Sequence, residues 1–389
     1  MKLTLWILAL TIGVCYGTPE VIKVTGNLSE STQEYIWPSM ANGGVVINEE
    51  KIYIPNGSKI YVQSRMEHEQ WSELPINLDN HNDFTIRELL INEDAIYINL
   101  IYTDGRFYIY KHDMKTDKQL KPVLKHGFPD RMLTLQNGHI LLTGFYRPAY
   151  AVYLEKYDDE TQRGGTDLSR RMFKELYEKH TAFSLSRYDH KLSFIDSANF
   201  LSRSGEDARA FEDLFVKHPI DLTEAGQIAI IDNSEGYTVE LFDQSLNKVR
   251  QISIVNKNFK KIPHMDSRDD ARQLRSETGL YSVAYALYVK GDLIITTFYG
   301  GTKMRDLPQP PYYYDVTSLD GRAVATGRLG YPIISEGNDD KVFLLVKMDG
   351  GWFEEDSLYL VGLTIPEIIA GMANKKQVES YIDAYNGNQ

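Results

Sequence analysis

The chain has 389 residues, a formal net charge of −12 and a sequence pI near 5.3. Phosphate backbones repel such a chain, so nucleic acid is excluded as an expected partner. Hydrophobic residues make up 42 %, with 26 Tyr and 15 Phe; these suit half-buried sheet surfaces and argue against disorder. The single cysteine, Cys15, lies in the leader, so the mature domain is expected to hold itself together by packing and not by disulfides.

In chain order, residues 1–17 read as a secretory signal. Lys2 supplies the positive start, and LTLWILALTIGV is an apolar run of about a dozen residues, short for a bilayer span. Two processing readings stand side by side. Cys15-Tyr16-Gly17 offers small residues to a signal peptidase, giving a mature start near Thr18. Ile12-Gly13-Val14-Cys15 resembles a lipobox, which would make Cys15 a lipidated N-terminus and the membrane a partner through that anchor alone. The expected location is accordingly secreted, periplasmic or outer-membrane lipoprotein. EVIKVTGNL (Glu20 to Leu28) follows as a lone strand. It is assigned to the last repeat of the fold, where it would remove a free sheet edge.

From Trp37 onward a unit recurs: a tight polar turn, then an apolar strand. Asn48-Glu49-Glu50-Lys51 precedes IYIPN, Asn92-Glu93-Asp94-Ala95 precedes IYINL, and Gln136-Asn137-Gly138-His139 precedes ILLTG. Glu224-Ala225-Gly226-Gln227 precedes IAIID, Val289-Lys290-Gly291-Asp292 precedes LIITT, and Asn338-Asp339-Asp340-Lys341 precedes VFLLV. A recurring four-strand sheet that cannot bury both faces alone is the unit of a β-propeller. The first three turns are spaced by 44 residues and the fourth follows after 88. Six units are preferred to seven, because residues 197–218 read helical at EDARAFEDLFVK.

The first unit spans Trp37 to Ile76 and the second Phe84 to Leu124. The third starts at Arg131, and its outer hairpin is open between residues 149–160 and 182–196, with the helical pattern TDLSRRMFKELYEKH between them. The fourth runs from His218 to Ile254 and is followed by HMDSRDDARQLRSETG, helical in its middle. The fifth resumes at Tyr281 and carries a Pro- and Tyr-rich excursion, TKMRDLPQPPYYYDV. The sixth spans Tyr331 to Leu363. The tail starts with Pro366 in a helix's first turn and reads as a short amphipathic helix. The expected organisation is a signal peptide over 1–17, an all-β six-bladed propeller with short helical insertions over 18–365, and a helical tail over 366–389.

The repeated unit, its blade count and the leader resemble the six-bladed β-propellers of the TolB-like and NHL-like superfamily, including the secreted or lipidated ones abundant in Bacteroidetes. The resemblance covers Trp37 to Leu363. It implies a fold and not a reaction, since such proteins serve as docking platforms, ligand binders, and lactonases or lyases.

In a propeller the first strand of each blade lines the channel, and loops entering that strand gather at one mouth with loops leaving the second strand. The entering loops supply His81, Asp83 and Arg87, then Asp130 and Arg131, then His218 and Asp221, then Asp269, Arg272 and Arg275. Asp83, Arg87, Arg131 and Asp221 read as a polar channel for an anionic or sugar-like ligand, the arginines being bidentate donors. The competing reading is that they link neighbouring blades. After the second strands, Tyr102, Tyr146 and Tyr299 occupy matching positions, with Arg147, Lys303 and Arg305 close by and Tyr312, Tyr313 and Tyr314 beyond. Such tyrosines suit a carbohydrate or peptide surface or, equally, packing between blades.

The nine histidines form no H-x-x-x-H or H-E-x-x-H pair, no G-x-S-x-G elbow occurs, and the paired glycines lack a phosphate-cradle setting. Asn27 and Asn56 head N-x-S triplets. The expectation is a non-catalytic binding or scaffold propeller that engages a protein, peptide or glycan at one mouth, without cofactor or metal. The alternative is a lactonase or lyase in the channel, assisted by calcium or zinc, with Asp83 or Asp221 moving the proton.

Overall fold

The structure is a computed structural model that describes residues 19–24, 44–65, 71–74, 84–92, 95–102, 107–115, 118–124, 129–144, 184–200, 207, 218–233, 236–276, 281–300, 311–337, 340–348 and 357–387. The leader, the earlier outer-hairpin candidate at 149–160, the helical pattern at 166–180 and all but one residue of the helical reading at 206–217 lie outside them.

Strand β1 (Glu20–Val24) precedes the first blade, which holds β2 (Val46–Ile47), β3 (Lys51–Asn56), β4 (Lys59–Ser64) and β5 (Ser72–Leu74). The second blade is β6 (Phe84–Ile91), β7 (Ala95–Tyr102), β8 (Phe107–Asp113) and β9 (Lys118–Leu124). The third is β10 (Pro129–Thr134), β11 (Ile140–Gly144), β12 (Ser184–Tyr188) and β13 (Phe194–Asn199), which resolves the ambiguous outer hairpin in favour of the later candidate. The fourth is β14 (Ile220–Leu222), β15 (Ile228–Asp232), β16 (Thr238–Phe242) and β17 (Lys248–Ser253). The fifth is β18 (Val283–Lys290), β19 (Leu293–Tyr299), β20 (Tyr312–Ser318) and β21 (Ala323–Leu329). The sixth is β22 (Ile333–Glu336), β23 (Lys341–Met348) and β24 (Ser357–Thr364), joined by β1.

All six sheets have four strands in antiparallel order. Each first strand touches the first strand of the next blade, and β22 returns to β2, so the ring closes as a six-bladed propeller. The burial pattern follows from that position. β11, β15 and β16 are buried at every residue, as strands covered on both faces are, whereas the outermost β17 and β21 keep most positions exposed.

The recurring turns form as their residues dictate. Asn48 Oδ1 accepts from Glu50 N at 3.0 Å and Lys51 N at 2.7 Å, and Asn92 Oδ1 accepts from Ala95 N at 2.9 Å. In the fourth blade the turn needs Gly226: its φ is +76°, and a Cβ would stand 2.4 Å from both Gln136 Oε1 and Gln244 Nε2. That crowding is a link between blades, for Gln136 Nε2 donates to Glu224 O at 2.9 Å.

Closure uses the lone N-terminal strand, as expected. β1 pairs with β24, Glu20 opposite Gly362 and Val24 opposite Leu358. Glu20 is also the charge that fastens the seam. Its carboxylate accepts from Arg65 Nε at 2.6 Å and Nη2 at 2.7 Å, and from Lys341 Nζ at 2.8 Å. Arg65 donates a third bond to Asn48 O at 3.0 Å and lies 5.3 Å from the Phe343 ring centroid.

Two segments differ from the expectation. PYYYDV is no excursion: Tyr312–Ser318 is the third strand of the fifth blade, its tyrosines alternating between buried and half-buried faces. The tail is two helices, not one. α1 (Arg268–Ser276) is the expected helix between blades four and five; α2 (Ile365–Ile369) and α3 (Lys375–Gly387) form the tail. Thr364 and Glu367 make a capping box at α2, and Gly371, with φ +83°, turns the chain toward α3. Ile368, Val378 and Ile382 are buried in the core shared with blades five and six. Gly330 is required here, because a Cβ would meet Lys375 N at 2.4 Å.

Candidate functional site at the ring axis

The first strands bring a set of charged groups to the axis. Glu88 on β6 faces Arg131 on β10, with oxygen and Nε 3.4 Å apart. Lys290 on β18 pairs with Glu336 on β22 at 2.7 Å and donates to Gly337 O at 3.0 Å. Asp221 on β14 accepts from Val289 N on β18 at 2.6 Å and from Leu222 N at 2.7 Å. Tyr288 is buried among them: burial pushes its hydroxyl's pKa up, Arg131 opposes, and the charges of Glu336 and Asp221 add to the rise. The Glu88–Arg131, Lys290–Glu336 and Asp221–Val289 links each join one blade to the next.

Asp221 is 7 % exposed. Burial, then the Glu336 charge, push its carboxyl well above the ordinary value of 3.8, against the pull of the two backbone N–H groups and Lys290. An acid whose value rises on folding holds its proton more tightly in the folded state, so it makes stability fall as pH rises through that interval. Asp221→Asn keeps an acceptor for Val289 N and removes the charge. The variant is expected to match or exceed wild-type stability at neutral pH and to flatten the loss between mildly acid and neutral pH. Urea unfolding across that range checks this; a variant weaker by the same margin at every pH would contradict it.

The sequence candidates separate into three groups. Arg131 and Asp221 stand at the axis on strands, not in entering loops, and both serve blade-to-blade links, the competing reading for this set. Arg87 lies on β6 with its side chain exposed. His218 is buried, its Nδ1 3.0 Å from Ile231 O and its ring against Phe200; burial lowers its pKa, with Asp232 opposing. Asp269 and Arg272 pair with each other at 3.0 Å on the exposed face of α1, away from any axial role.

The aromatic set is corrected at Tyr299. Its side chain is 3 % exposed and stacks on Tyr285 with centroids 5.6 Å apart, inside the core. Tyr312 and Tyr314 are also buried, and Tyr314 donates to Ile368 O at 3.2 Å. These tyrosines pack between blade five, blade six and the tail. Tyr102 ends β7. Asp83, Tyr146, Arg147 and Arg305 lie outside the described residues.

Glu88, Tyr288, Lys290 and Glu336 were missed. A signal existed: Lys290 and Glu336 both end a first strand, each paired with the first residue of the apolar run that follows the turn. Aligning that position across repeats points both at the same end of the ring.

Among the described residues no group of three or more His, Cys, Asp or Glu is arranged to hold a metal ion, and no helix is long and apolar enough to cross a membrane. No protein-family model matches the chain, and no curated protein matches it. Solved structures do. A protein of Bacteroides fragilis named as a candidate for export superposes with a TM-score of 0.53 at 12 % identity, over 88 % of this chain and 94 % of that one. A member of the DUF4221 family from Bacteroides vulgatus gives 0.50 at 10 % identity, over 89 % and 98 %. At these identities the likeness is one of fold: this chain is a six-bladed β-propeller similar to propellers of Bacteroides.

Proposed function

We propose that this protein is a non-catalytic binding propeller on an exported or surface-tethered chain, which engages a protein, peptide or glycan at one mouth of the ring. The carrying observation is that the axial charges are committed to joining blades: Glu88 with Arg131, Lys290 with Glu336, and Asp221 with Val289 N. Groups so held stiffen a platform, and recognition falls to the loops at its face. The order of the repeats assigns Tyr102, Tyr146, Arg147 and Arg305 to that face, and Arg87, exposed on β6, is a further candidate. The leader and the Bacteroides likeness support export.

In the alternative, a channel lactonase or lyase with calcium or zinc, Asp221 would move the proton while each of its oxygens also accepts a backbone N–H. The test is binding of the mature protein to glycan and peptide arrays. Tyr146→Ala combined with Arg147→Glu and Arg305→Glu is expected to abolish a specific signal while the thermal midpoint holds, and Asp221→Asn is expected to leave it intact. Loss of signal in Asp221→Asn alone would move the site into the channel and overturn this reading.

A further inference from the structure

A concavity lies where the fifth blade meets the sixth blade and the tail. Its volume is about 530 Å³, within the range of small-ligand sites. Buried Tyr312, Leu329 and Pro332 give it apolar walls. Around them stand three exposed cations from three different elements: Arg328 on β21, Lys347 on β23 and Lys375 at the start of α3. Glu379 stands 3.7 Å from Lys375 and already accepts the Tyr331 hydroxyl at 2.8 Å. Among the described residues no carboxylate pairs with Arg328.

Three cations gathered at one rim, Arg328 among them without a carboxylate partner among the described residues, favour an anion between them. Apolar walls beneath the rim leave wettable hydrocarbon that a flat or aliphatic body would cover. We propose that this groove binds a small organic anion, with an apolar ring against Tyr312, Leu329 and Pro332 and a carboxylate, phosphate or sulfate held by Arg328, Lys347 and Lys375. Arg328 supplies the planar fork and the lysines supply point charges. The cations belong to neither the axial set nor the proposed binding face, so this site stands or falls separately from that reading.

Calorimetric titration of the mature protein with benzoate, phenyl phosphate and phenyl sulfate tests it, with phenol and inorganic phosphate as partial ligands. At least one aryl anion is expected to bind, with phenol and inorganic phosphate weaker by about tenfold. The preferred headgroup then identifies the source among carboxylates, phosphate esters and sulfate esters. Arg328→Glu with Lys375→Glu is expected to weaken binding about tenfold or more with an unchanged thermal midpoint. If that pair lowers the midpoint, Arg328→Gln with Lys347→Gln replaces it under the same criterion. Absence of binding by all three aryl anions, equal binding of inorganic phosphate, or indifference to the substitutions would each overturn the proposal.

Discussion

Replacing Glu20 with alanine is expected to lower the unfolding free energy by about 3–5 kcal/mol, the usual cost of stranding the partner of a buried ion pair. Arg65, 8 % exposed, would lose two of its three described side-chain bonds and keep its charge. The seam would lose its fastening to the first blade through Arg65 and to the sixth through Lys341. Urea unfolding of the single variant, of Arg65→Met and of the double variant measures it. A double variant recovering most of the loss identifies the stranded charge as the cause; a single variant within about 1 kcal/mol of wild type would show the pair to be worth no more than a surface bridge.

The same carboxylate gives a pH signature. Burial alone would raise the pKa of Glu20, but Arg65 and Lys341 outweigh it and hold the carboxyl below its ordinary value of 4.5. With the folded value depressed, the unfolded chain takes up the proton first. The stabilisation is therefore complete above the ordinary glutamate value and lost as pH falls through the lower, folded one. Acid unfolding of wild type and Glu20→Gln should converge at the acid end, opposite in direction to the effect of Asp221.

Phe298→Ala is expected to cost a similar amount, about 3–5 kcal/mol, by opening a cavity between blades four and five. Phe298 is fully buried. It packs edge-on against Tyr237 and Phe259, each 5.1 Å away, and stacks on Tyr313 at 5.0 Å. Tyr237 and Phe259 are themselves stacked at 4.5 Å, and the Tyr237 hydroxyl is 2.6 Å from Thr296 Oγ1. The group acts as one wedge between two sheets. Phe298→Leu, which keeps much of the volume, should cost less. The readout is the urea midpoint; a loss under about 1 kcal/mol for the alanine variant would mean that the blades close over the gap.

Much of this architecture is legible in local pattern. Asn48 and Asn92 close turns through their own side chains, and the apolar runs after them have no option but a strand covered on both faces. The lone strand at Glu20 is legible because a ring with a free edge is unstable, and β1 fills that edge. The tyrosines read less well. Tyr299 ends one strand and Tyr312 begins the next, in a motif that fits a wet rim or a dry interface equally, and what buried them was the packing around that edge of blade five.

The chain's own order of turns and strands therefore determined six repeats and marked the lone strand that closes them, because turns and strands form through forces acting within a few residues, while the third blade's outer hairpin and the pairing of β1 with β24 were fixed by contacts distant in sequence. Which charges meet at the axis, which tyrosines lose water and where three cations gather beside an apolar wall were decided only in three dimensions. Arg131 meets Glu88, and Lys290 meets Glu336, across blade boundaries more than 40 residues apart in sequence. Burial and pairing are properties of neighbours, and the ring selects those neighbours only once it has closed.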